Sequence, residues 1–192
     1  MAEAARGKIV VISGPSGVGK TTVVQRLCQR APVPLVVSVS ATTRPPRPGE
    51  VDGKHYHFLT AEEFALRRQR GDFLECYEVF GRGHWYGTLL SEVAPGLAAG
   101  KWVVLMIDVH GKEQVVERFP DAVTIFLRPG SMEQLERQLR GRKTESEQSI
   151  QRRLEEAERE LAQAPCYRYQ VTNDSVDHAV EQICQILTQC GG

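Results

Sequence analysis

The sequence predicts an α/β fold built on a five-stranded parallel sheet flanked by helices. Three observations carry that prediction: short continuous apolar runs, helical stretches between most of them, and helix-start signatures heading several of those stretches. The runs are Lys8 to Ser13, Leu35 to Ser40, Trp102 to Asp108, Ala122 to Leu127 and Tyr169 to Thr172. Their hydrophobicity is continuous rather than alternating, which suits strands covered on both faces. Strands that alternate with helices call for right-handed crossovers and parallel pairing. Thr60 to Glu63, Ser131 to Gln134 and Thr144 to Glu147 have the spacing of a capping box, in which a hydroxyl and a Glu or Gln side chain satisfy orphan amides reciprocally. Asp174 or Ser175 is placed to cap the last helix. No internal repeat and no low-complexity tract interrupts the pattern.

At 192 residues and 41% hydrophobic content, one domain can bury a substantial core. Twenty-four basic residues balance twenty-four acidic ones. No global positive field attracts nucleic acid or an anionic membrane, so any anion site must be local. The five cysteines lack the paired spacing of a zinc site or redox motif and read as reduced bystanders. The first residues have no apolar signal core, and no run approaches the roughly 20 apolar residues of a membrane span, so a soluble cytoplasmic protein is expected.

Gly14, Pro15, Ser16, Gly17, Val18, Gly19, Lys20 and Thr21 fit the spacing G-x-x-x-x-G-K-[ST], with an apolar strand before and a helix after. Glycines let backbone amides converge on phosphate oxygens, and the helix offers its positive end to the same charge. Lys20 is expected to reach the β- and γ-phosphates of a nucleoside triphosphate, and Thr21 to contribute to a magnesium shell. Asp108 ends an apolar strand, either as a metal-side carboxylate or as a turn or helix-cap aspartate. The loop leaves the phosphoryl acceptor open: water in a GTPase or ATPase, a second substrate in a kinase.

Ala41 to Phe58 breaks the strand-helix rhythm and is dense in Pro, Gly, Arg and aromatic residues. Within it, Arg44 and Arg47 sit three apart on a backbone stiffened by Pro45, Pro46 and Pro48. Guanidinium groups bind phosphate through forked, charge-assisted hydrogen bonds, so the pair suits a second phosphate group. Together with the phosphate loop, the segment from Ser38 to Phe58 resembles guanylate kinase, and the likeness runs from about Lys8 to the last helix.

The resemblance implies transfer of the γ-phosphoryl of MgATP to GMP, and to dGMP, in purine nucleotide metabolism and GMP recycling. It implies a single domain: a core at about residues 1–38, 92–137 and 156–192, a small mixed GMP-binding subdomain at about 39–91, and a helical lid at about 138–155. It matches Arg44, Arg47, Tyr56 and Tyr86 to the residues that hold the GMP phosphate. Ser40, Glu75 and Thr88 match those that read guanine, and Asp108 matches an acid near GMP and the metal, which it meets through water. Gly14 to Thr21 with Thr22 and Asn173 form the ATP side, while Lys20, Arg44, Arg142 and Arg153 carry the catalytic charge. Mg²⁺ is the implied cofactor, ATP and GMP are the partners, and the chain is a monomer or homodimer. The chemistry of guanine agrees: it presents two N–H donors beside a carbonyl, so a carboxylate with a nearby hydroxyl complements its edge. Adenine lacks N1–H, and sites built on such bonds discriminate by roughly 10⁴ to 10⁵.

The alternatives are a guanylate-kinase-like module that binds partner proteins, whose phosphate loop is typically damaged, and a kinase for another nucleotide or a sugar phosphate. Three stretches depart from the family pattern. The turn from Gly81 to Gly87 is longer, Met106 stands where an acid is common, and Gln138 stands where the lid commonly has an arginine, for which Arg137 or Arg140 is the nearest substitute. Reduced but not abolished turnover is expected from these departures.

Overall fold

The computed structural model describes residues 7–79, 83–141 and 147–191. In chain order the elements are β1 (Ile9–Ser13), α1 (Lys20–Arg30), β2 (Leu35–Val37), β3 (Ser40–Thr42), β4 (His57–Phe58), α2 (Ala61–Arg70), β5 (Phe73–Val79) and β6 (His84–Leu89). They continue with α3 (Leu90–Ala98), β7 (Trp102–Leu105), α4 (Val109–Arg118), β8 (Val123–Pro129), α5 (Met132–Arg140), α6 (Glu147–Ala162), β9 (Tyr169–Asn173) and α7 (Val176–Gly191). A five-stranded sheet has the order β2-β7-β1-β8-β9, and a four-stranded sheet the order β4-β3-β6-β5. In the first, β2 pairs parallel with β7 and β8 with β9. The second is mixed: β3 and β4 are parallel, while β6 runs antiparallel to both β3 and β5. The predicted α/β fold, with its five-stranded parallel sheet and second mixed sheet, is the one observed.

The described chain sorts into two compact units. The first holds residues 7–10 and Leu35–Ala122, the second Val11–Pro34 and residues 123–191. In the first, the mixed sheet closes over Ala41, Phe64, Phe73 and Leu89, with Leu59, Cys76 and Trp85 packed against them. The Phe64 ring stacks on Phe73 at 4.4 Å between centroids, and the Arg68 guanidinium covers Trp85 at 4.4 Å. Such aromatic contacts add about 0.5–1.5 kcal/mol to the area they bury. Helix α2 enters this cluster from a complete capping box, Thr60 Oγ1 accepting from Glu63 N and Glu63 Oε2 from Thr60 N.

In the second unit α1 packs on α7. Val23, Val24 and Leu27 are buried on α1, and Ala179, Val180, Ile183 and Leu187 on α7, the stripe spacing of helices with one covered face. Arg26 and Arg30 reach Asp177 from α1, but these pairs are exposed and add little beside the apolar stripe. Helix α5 buries Leu135 and Leu139. Its Ser131 caps Gln134 N, yet the Gln134 side chain turns to the Asn173 carbonyl instead of completing the predicted box. Ser175, rather than Asp174, caps α7 by accepting from His178 N. Thr144 lies outside the described residues.

Two predicted strands end early, for one reason. The Leu35 to Ser40 run leaves its sheet at Val37 and enters the other at Ser40, so a single apolar run serves two sheets. The run from Trp102 gives strand only to Leu105, because Asp108 accepts the Gly111 amide (3.0 Å) and starts α4. Hydrophobicity marks burial, not pairing. Among the described residues no helix is long and apolar enough to cross a membrane, and all five cysteines are free thiols.

Candidate active site

In the second unit, β1 runs straight into the glycine-rich loop and α1 begins at Lys20. Gly19 is the N-cap residue, at φ 92° and ψ 18°, a left-handed conformation that favours glycine. The space beside it is closed as well, since a Cβ there would sit 2.9 Å from Asn173 Nδ2. Helix α1 therefore starts with no side-chain cap and no acidic residue in its first turn. Its orphan amides and positive end are left to whatever anion the loop encloses. Lys20 Nζ folds back over this loop, donating to the Gly14 carbonyl and to the Pro15 carbonyl (3.1 Å). Thr21 and Thr22 are exposed on the first turn, as is Ser16 in the loop, while Pro15 and Val18 are buried.

Asn173, at the end of β9, donates its side-chain amide to Val18 O (2.7 Å). It thus braces the loop from behind, and its Oδ1 is buried with no hydrogen-bond partner among the described residues.

In the first unit, Ser40, Thr42 and Ala41 of β3 pair with Thr88, Tyr86 and Gly87 of β6, and Thr88 pairs on with Glu75 of β5. This ladder brings Ser40, Glu75, Tyr86 and Thr88 together from three strands. Arg44 follows β3 and is nearly enclosed, its side chain 10% exposed. Its Nε donates to the Tyr86 hydroxyl (3.2 Å), its NH1 to the Pro45 carbonyl (2.7 Å) and Glu50 Oε2 (2.8 Å), and its NH2 to Glu50 Oε1 (2.9 Å). Glu50 Oε2 also accepts the Arg47 amide (2.7 Å). The hydrogen bonds from Arg44 hold the Glu50 carboxyl well below its usual range, at about 2. The Tyr56 ring lies 5.3 Å from the Arg44 guanidinium carbon and edge-on to Tyr86, and burial pushes the Tyr56 hydroxyl's ionisation up. Arg47 itself is exposed.

Glu75 is perturbed in the opposite direction from Glu50. The ladder between β5 and β6 shifts register between Phe73 and Glu75, the signature of a bulge. Phe73, Leu74 and Glu75 are in consequence all buried, although strict alternation would turn one of them to solvent. Glu75 Oε1 accepts the Thr88 hydroxyl (2.6 Å), and Oε2 has no hydrogen-bond partner among the described residues. Burial, helped by the neighbouring Asp108 charge and opposed by the Thr88 bond, pushes the carboxyl up to about 7. Asp108 is half-buried, and burial raises it too, against the bonds from Gly111 and Tyr77.

The chain is similar to known proteins along nearly its whole length. The family profile described as guanylate kinase matches residues 6–190. The chain belongs to the guanylate kinase family. A guanylate kinase of Rhodopirellula baltica is 57% identical over 182 residues, 94% of this chain and 87% of that one. That of Gloeobacter violaceus is 48% identical over 182 residues, covering 94% and 86%. The crystal structure of guanylate kinase from Anaplasma phagocytophilum superposes with a TM-score of 0.77 at 32% identity, over 96% of this chain and 86% of that one.

Two members of this guanylate kinase pocket escaped the sequence reading. Tyr77 stacks on Tyr86 (6.1 Å, 19°), tilts against His110 and hydrogen-bonds Asp108, its hydroxyl's ionisation driven up by burial first and then by that carboxylate. Its position two residues after Glu75 on one strand face was the available signal. Glu50 was legible as the third member of an Arg-x-x-Arg-x-x-Glu spacing. On the lid stretch, Arg142 lies outside the described residues and Arg153 is half-buried on α6. Arg140 is engaged by Glu136 (2.8 Å) and by both oxygens of Glu147 (2.5 Å each). Met106 is half-buried beside Ile107.

Proposed function

We propose that this chain transfers the γ-phosphoryl group of ATP to GMP, and to dGMP, giving ADP and GDP. The observation that carries the reading is Glu75: a carboxylate 2% exposed, bonded on one oxygen to Thr88 and on the other to nothing among the described residues. A buried acceptor of this kind is satisfied by a ligand edge with adjacent N–H donors. Guanine has that edge; adenine does not.

One bond forms, between a phosphate oxygen of GMP and the γ-phosphorus, and one breaks, between that phosphorus and the bridging oxygen that leaves with ADP. The acceptor is already an anion, so no side chain has to remove a proton. Catalysis then rests on positioning and on charge placed where it develops. The loop from Gly14 to Thr22 cradles the ATP phosphates with backbone amides and the α1 end, and Lys20 exchanges its two carbonyl partners for phosphate oxygens. Arg44, Arg47, Tyr56 and Tyr86 hold the GMP phosphate; Ser40, Glu75 and Thr88 read the base. Arg142 and Arg153 add late positive charge from a closing lid at about residues 138–155, which also excludes water. Asn173 supports the ATP side through the loop. Mg²⁺, when bound, would neutralise charge on the phosphates, and the Thr21 hydroxyl and the Asp108 carboxylate are the oxygen donors that would suit it.

A coupled assay of nucleoside diphosphate formation tests the reading with GMP, dGMP, AMP, UMP and a sugar phosphate as acceptors. GMP and dGMP are expected to turn over, with AMP rejected by roughly 10⁴. Equal use of AMP would overturn it.

A further inference from the structure

The first turn of α4 brings one residue against both acids of the acceptor pocket. Gly111 donates its amide to Asp108 Oδ1 (3.0 Å). A Cβ built on Gly111 would lie 2.6 Å from Glu75 Oε2, 3.1 Å from Glu75 Cδ and 3.3 Å from Ile107 Cβ. The first of these distances is far inside van der Waals contact, and the neighbour has no slack. Glu75 is enclosed, and its other oxygen is tied to Thr88 at 2.6 Å. Backbone conformation does not ask for glycine here, because Gly111 sits inside α4 and is not among the residues with positive φ. Helix propensity argues against it, since alanine is the better helix former. What remains is space.

We propose that Gly111 is a positioning residue for base recognition: its missing side chain is the room in which the Glu75 carboxylate sits, and its amide fixes Asp108 beside that carboxylate. The inference rests on the reading of Glu75 as the guanine acceptor. A methyl group at this position drives the carboxylate off Thr88 and out of register with the N–H donors of the base. Displacements on the order of 1 Å cost about 10²-fold in sites that work by alignment. The effect is expected at the acceptor, because the atoms a Cβ on Gly111 would meet belong to Glu75 and Ile107.

The test is Gly111→Ala, assayed against GMP and against inosine 5′-monophosphate, which keeps N1–H and O6 but lacks the 2-amino donor. The expected result is a fall of about tenfold or more in kcat/KM for GMP, carried mainly by KM, with the ATP KM held within about twofold. The preference for GMP over inosine monophosphate shrinks toward one. Shortening the carboxylate restores the room: Glu75→Asp costs less in the Gly111→Ala background than in the parent, and it raises the melting temperature of the Gly111→Ala protein, so an unstable single variant still yields an answer. Unchanged GMP kinetics in Gly111→Ala, or additive effects of the two substitutions with no gain in melting temperature, overturns the proposal. Failure of the underlying reading looks different: Glu75→Asp in the parent then leaves the GMP to inosine monophosphate ratio where it was.

Discussion

The glycine-rich loop of the second unit and the arginine-tyrosine pocket of the first are built by opposite means. The loop is built from backbone: amides, a capless helix end, and one lysine folded over its carbonyls. The pocket is built from side chains that reach it from β3, β5, β6, the arginine segment and the start of α4, several of them fixed by another side chain. A backbone site needs a few residues at set spacing and tolerates little else. A side-chain site tolerates any spacing the fold can fold back, and its cost is a chain of mutual dependence.

The largest effect expected from this contrast is at Lys20, the side chain that folds over the loop's carbonyls. Lys20→Ala should lower GDP formation by about 10³-fold or more while circular dichroism shows an intact fold; retained turnover would remove the donor reading. Next comes Arg44. Arg44→Ala deletes charge-assisted bonds worth about 1.5–3 kcal/mol each and strands Glu50, so the GMP KM should rise about 10²-fold with the ATP KM little moved. A rise in both constants would mean that the two phosphate sites are not separable in this way.

Glu75→Gln should weaken GMP use and, in the ligand-free protein, change stability with a definite sign. The folded carboxyl takes up its proton near 7 instead of 4.5, so from pH 4.5 to 7 the folded state binds more protons than the unfolded state. The parent therefore loses stability as pH rises through 7, and the glutamine variant does not. Its advantage should be absent below pH 4.5 and reach roughly 3 kcal/mol above pH 7, read from denaturant melts across that range. A pH-independent difference would remove the buried, unpaired carboxylate from the account. The smallest effect belongs outside both sites: Thr60→Ala, which opens the α2 capping box, should cost about 1 kcal/mol in thermal melts and leave the kinetics unchanged.

The same contrast explains what the sequence made legible. Gly14 to Thr21 could be read directly, because adjacency in the chain is adjacency in the site. The apolar runs announced the parallel strands for the same reason, since burial on both faces is written locally. Glu75 had no local signal at all. Its inward aim depends on a bulge whose partner strand lies more than ten residues on, and only resemblance to a family singled it out. Tyr77 and Glu50 went unassigned although their spacing was visible, because their meaning lies in what they hold, Asp108 and Arg44, and spacing alone does not say which side chain a residue holds. Asp108 was readable as two things and is observed as the cap of α4, with Tyr77 as a further hydrogen-bond partner.

Arg44 carries a last consequence. Four of its five N–H groups are already spoken for, two of them by Glu50, so the guanidinium carries its own counter-ion. Chloride and inorganic phosphate from bulk solution meet a neutral pair instead of a bare cation. An anion that binds Arg44 has first to displace Glu50 from two of those N–H groups, a cost that a small ion with no further contacts does not offset.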